Sequence, residues 1–183
     1  MKQLALIILT STLISCTEKD QVNAYVEVLD NNKSGVPAND TDFLIEALKF
    51  NLQEINLSQL AQENSINPVT KNTAKQFENS HSLLYNELIQ LADKKNITVP
   101  SKNKTDTDKK NLKNEIGDDF DELYFIRIVN DYKYSVERFE YASHNSKDHE
   151  IALWAKTAVP VLRRNLGLAI KLQADLKKNK KLK

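Results

Sequence analysis

Three glycines and four prolines in 183 residues are too few for the many tight turns of a sandwich or barrel, whereas a few long helices need little turn chemistry. An all-α fold is therefore expected. Cysteine occurs once, at Cys16, so no disulfide can form within the chain. Charge is also missing in bulk: 26 basic against 25 acidic side chains leave a formal charge of +1. That excludes the concentrated basic face of a nucleic-acid binder, and no such partner is expected. Catalytic signatures are absent too, with no nucleophile elbow, P-loop or HExxH, and Ser, His and Asp in no recognisable triad arrangement. A non-catalytic protein is the expectation.

What is present is a core-forming composition, 40% hydrophobic and 28% charged, long enough for one domain. Residues 1–15 open with Lys2 and an apolar run, and "LISC" (Leu13-Ile14-Ser15-Cys16) closes it. This is a targeting segment, too short to span a bilayer. It resembles a bacterial lipobox, which implies that Cys16 carries a covalent lipid and becomes the mature N-terminus. Thr17 follows where an aspartate would favour inner-membrane retention, so an outer-membrane envelope location is expected, with the membrane as partner through the lipid. Residues 16–39 carry Asn, Asp, Lys, Gly and Pro with only the brief "AYVEV" as an extended piece, and read as a tether.

From residue 40 to about 178 the pattern is helical. The first helix should run from about Thr41 to Asn64, capped by Asp40 or Thr41. "NPVT" restarts the chain with Asn67 as cap and Pro68 in the first turn, for a second helix to about Lys95. A polar connection leads to a third helix from about Leu112 to Ala142, bent near Gly117. "SHNSKD" supplies a turn and a cap at Asn145 or Ser146 for a fourth helix to about Lys177, with a kink expected at Pro160. The architecture is an antiparallel four-helix bundle, followed by a basic tail at 179–183.

Walking each helix at steps of three and four gives its buried stripe. These stripes are Phe43, Ala47, Phe50, Glu54, Leu57 and Ala61; then Ala74, Phe77, His81, Leu84 and Leu88; then Phe125, Ile128, Tyr132, Val136 and Phe139; then Ile151, Ala155, Ala158, Leu162, Asn165, Ala169 and Leu172. Each has one polar break. With the two short turns placed at one end of the bundle, Glu54, His81 and Tyr132 fall at similar depth, with Asn165 a turn or two further. They are the candidate polar layer.

"FLIEALKFNLQEINLSQLA", "HSLLYNELIQLADKKNITVP", "DDFDELYFIRIV" and "LWAKTAVPVLRRNLGLA" together resemble the bacterial domain-of-unknown-function 4142 family. That resemblance covers Asp42 to about Leu172 and implies an envelope protein with a ferritin-like bundle. It also implies Glu at 54 and His at 81, 132 and 165, a set suited to a metal or a proton. Here 132 and 165 are Tyr and Asn.

A ferritin-type di-iron centre needs Glu-x-x-His on two helices. Glu78 and His81 form one such pair, but Arg164-Asn165 is the nearest equivalent on the fourth helix. Glu54, Glu78 and His81 are thus weak metal candidates, and a hydrogen-bonded quartet of Glu54, His81, Tyr132 and Asn165 is the main expectation. No bound metal or other cofactor is expected beyond the lipid. His144 and His149 flank the last turn without a fixed acidic third ligand, and Trp154 is expected in the core.

Overall fold

A computed structural model describes residues 38–99, 112 and 116–181, and the signal segment, Cys16, most of the tether and the loop at 100–111 lie outside them. Four helices follow in chain order: α1 (Ala38–Asn64), α2 (Pro68–Lys94), α3 (Asp118–Asn145) and α4 (His149–Lys181). They form the expected bundle, α1 packed chiefly on α2 and α3 chiefly on α4, with α1–α3 and α2–α4 completing the ring.

The two short turns lie at opposite ends, which corrects the placement used to compare depths. The backbone N–H of Gly117 donates to the carbonyl of Asn64, so α3 begins beside the α1–α2 turn. The N–H of Asp148 donates to the Asp40 carboxylate, so the α3–α4 turn sits beside the start of α1. The end of α2 and the start of α3 therefore lie at opposite ends of the bundle. All four neighbouring pairs are antiparallel as a result.

Local signals explain the helix ends. Asn67 accepts the N–H of Val69 at 2.9 Å and Pro68 fills the first turn, as expected. After α2, Asn96 takes a left-handed φ of 54° and the Ile97 N–H returns to the Ala92 carbonyl at 2.9 Å, while the Ile97 side chain is buried. Gly117, at φ 74°, precedes α3, so it starts that helix rather than bending it.

Two expected caps are displaced. Asp40 lies inside the first turn of α1, which begins at Ala38, and its carboxylate serves the α3–α4 turn instead. For α4 the cap is Asp148, whose Oδ1 accepts the N–H of Glu150 at 3.0 Å and of Ile151 at 3.2 Å, because α3 continues through Asn145. Its other oxygen meets Lys95 at 2.7 Å. Asp148→Ala should cost about 1–2 kcal/mol in chemical denaturation, toward the upper end for a cap that also joins two helices. The fourth helix runs unbroken through Pro160 to Lys181, so the C-terminal lysines begin as helix.

The predicted stripes are the core. Every residue of the second and fourth is buried; in the first and third, Phe50 and Val136 are partly buried and the rest buried. Trp154 joins this core and donates its indole N–H to Glu87 at 3.1 Å. His144 and His149 are exposed.

Candidate functional site: a central polar layer

Every helix contributes to a chain of hydrogen bonds through the middle of the bundle. Asn51, His81 and Asn165 are the central residues of α1, α2 and α4, and Tyr132 is within one residue of the centre of α3. His81 Nδ1 lies 2.8 Å from Asn51 Oδ1, and His81 Nε2 lies 2.7 Å from the Tyr132 hydroxyl. Asn165 donates from Nδ2 to the same hydroxyl at 3.3 Å and to Ser80 Oγ at 2.9 Å. The Ser80 hydroxyl in turn donates to the Phe77 carbonyl at 2.9 Å.

The ends of the chain fix its direction. Asn51 Nδ2 donates to the Ala47 carbonyl at 2.8 Å, which leaves Oδ1 as the acceptor that faces the ring. His81 must then carry its proton on Nδ1 and accept at Nε2 from the Tyr132 O–H. Donors therefore point one way, from Asn165 through Tyr132 and His81 to Asn51 and the backbone of α1. Burial holds His81 neutral by lowering its pKa to about 3. Burial also pushes the Tyr132 hydroxyl well above its usual range, with the Glu54 carboxyl adding to the shift, so it serves as a donor and not a phenolate. Aromatic edges seal the layer: Phe50 meets the His81 ring at 5.4 Å and Phe77 meets the Tyr132 ring at 5.5 Å, both near perpendicular.

The structure thus brings together three of the four candidate residues. Glu54 lies three residues beyond Asn51 on α1, is fully buried, and takes no part in the chain. Neither of its oxygens makes a hydrogen bond of good geometry to a protein group. Its pKa is raised well above the usual carboxylate range, first by burial and then by the Asp131 carboxylate close by, with Arg127 opposing. Glu54 is accordingly a neutral acid. Glu78 faces the surface: Lys75, Gln59 and Gln62 bind it at 2.8–3.0 Å and hold its pKa down to about 2.

This donor set does not fit the metal that a ferritin-like bundle implies. Both nitrogens of the imidazole are engaged, the phenol keeps its proton, and Asn51 and Asn165 are poor ligands. Among the described residues no three His, Cys, Asp or Glu side chains are grouped to hold an ion. Asn51 is the member the sequence concealed; its signal was distance, since it stands as far before the α1–α2 turn as His81 stands beyond it.

A family model, described as a domain of unknown function (DUF4142), matches residues 29–172. The chain belongs to the DUF4142 family. The match takes in all four helices up to Leu172 of α4, and with them every member of the polar layer. No curated protein and no solved structure matches the chain.

Proposed function

We propose that this DUF4142 protein is a lipid-anchored component of the bacterial envelope, held at the outer membrane, whose bundle has a non-catalytic interaction or stress-related role. The observation that carries the non-catalytic reading is the double engagement of His81, which leaves its imidazole no free nitrogen for a ligand or substrate. In this reading the layer is structural: a polar chain that is satisfied only when all four helices share one register disfavours slipped packings. Support for the anchor comes from sequence, from the apolar run that ends at Cys16. Among the described residues no helix is long and apolar enough to cross a membrane, so attachment is assigned to the lipid.

Two measurements test the proposal. Cys16→Ser should abolish incorporation of labelled fatty acid and move the protein from the membrane to the soluble fraction; a variant that stays on membranes refutes the anchor. Protein purified without chelator should carry no stoichiometric metal, whereas a bound transition ion would overturn the structural reading of the layer in favour of metal or redox work.

A further inference from the structure

Next to the central chain lies a set of buried polar groups that it does not use. Glu54 Oε1 and Oε2, Ser58 Oγ and Tyr124 OH make no hydrogen bond of good geometry to another protein group, although Ser58 lies close enough to Tyr124, and Asp131 to Glu54, for a distorted one, and Glu54, Ser58 and Tyr124 are fully buried. Glu54 and Ser58 stand one turn apart on the same face of α1. Tyr124 reaches the same place from α3: burial raises the pKa of its hydroxyl, and the nearby Ser58 hydroxyl and Glu54 carboxyl also act on it. Four such atoms at one helix seam are more than a native interior leaves dry, since each unpaired group costs about 1–3 kcal/mol. Buried water answers that need, because one molecule makes about three hydrogen bonds to otherwise unsatisfied groups.

The chemistry favours water and a proton over a metal, since one neutral carboxyl and two hydroxyls offer no strong ligand. Asp131, close to Glu54, has a side chain 20% exposed and held at the surface by Arg127 and Gln53. We propose that Glu54, Ser58 and Tyr124 form a hydrated proton-holding site at the α1–α3 seam, reached from solvent past Asp131.

In this site the Glu54 acid donates its O–H to water, and its second oxygen accepts one back. The water also accepts from the Tyr124 O–H and can donate to Ser58 Oγ. When Glu54 gives up its proton, the proton passes through water to the Asp131 carboxylate and out to solvent, and a carboxylate stays behind facing two hydroxyl donors. Asp131, Arg127, Tyr124 and Tyr132 are the titratable or charged groups facing Glu54 from α3. From α2, His81 stands behind Tyr132 and is neutral, while α4 presents Asn165, which does not titrate.

The site separates a wet acid from a dry one. On transfer of the native protein to D2O, the infrared carbonyl stretch of a protonated carboxylic acid, assigned by its loss in Glu54→Gln, should shift on the order of a hundredfold faster than the amides of central α1 exchange, since those need the bundle to open. Exchange as slow as those amides, or no protonated-acid band, overturns the proposal. A high-resolution crystal structure provides a second arm that needs no variant. Ordered water within hydrogen-bond distance of Glu54, Ser58 and Tyr124 supports the site; a dry seam in which Tyr124 bonds Ser58 and Glu54 bonds Asp131 directly, or a heavy-atom signal there in crystals grown with rubidium, overturns it.

Discussion

His81→Ala is expected to destabilise the bundle by about 2–4 kcal/mol, read as a lower denaturation midpoint at unchanged slope. Two costs combine. Deleting the imidazole opens a void among Phe50, Phe77 and Tyr132, where the rings meet at 5.4–5.5 Å. It also strands two buried partners, the Asn51 carbonyl oxygen and the Tyr132 O–H. An exposed histidine would change stability by no more than about 0.5 kcal/mol.

A second substitution separates the void from the stranded groups. Tyr132→Phe in the native background breaks the chain and leaves His81 Nε2 without its donor, so it should cost about 1–3 kcal/mol. In the His81→Ala background the same change removes a hydroxyl that has lost its acceptor, and the cost should fall to nearly nothing or reverse. A double-mutant cycle therefore gives a coupling of about 1 kcal/mol or more. Additive costs would mean that the 2.7 Å contact between ring and hydroxyl does not hold the layer together.

Helical periodicity made the fold and the buried faces legible, but not the axial match between helices. On α1 the steps of three and four pass from Phe50 to Glu54 and skip Asn51, although Asn51 and Glu54 share the buried face. Glu54 therefore stood in for its neighbour. The depth comparison survived a wrong choice of ends because His81, Tyr132 and Asn165 lie at the middle of their helices, and a middle is equally far from both ends. Glu54 is off centre and failed that test. The turn "SHNSKD" contains several residues able to cap, and nothing local separates them. Lys95 and the Asp40 carboxylate meet the chain at Asp148, and those contacts across the bundle select it.

Two buried titratable groups, His81 and Glu54, should pull the stability of the bundle in opposite directions as the pH changes. For His81 the folded pKa is about 3 against an ordinary 6.5, so between those values the unfolded chain binds a proton that the folded chain refuses. Stability present above pH 6.5 is lost as the pH falls through this window, by about 1.4 kcal/mol per unit. Glu54 works in the opposite sense. Its folded pKa is raised well above 4.5, so the folded chain keeps a proton that the unfolded chain has released. The stability it contributes is present below 4.5 and is lost, at the same rate, as the pH rises toward the folded value. Above 4.5 the Glu54 slope opposes the His81 slope for as long as the Glu54 carboxyl keeps its proton, and below 4.5 the His81 loss continues together with that of surface carboxylates such as Glu78.

Difference profiles isolate each group from the rest of the chain. Glu54→Gln has no proton to lose, so its stability relative to the native protein should grow as the pH rises above 4.5, by about 1.4 kcal/mol per unit, until the native carboxyl ionises. Should the difference be flat across that range, Glu54 would already be a carboxylate in the folded protein, compensated by Arg127 or a bound cation, and both the neutral acid and the hydrated site built on it would fall. A flat difference for a folded His81 variant between pH 4 and 6 would equally mean that the imidazole takes up its proton inside the bundle, which the one-way chain from Asn165 to Asn51 does not permit.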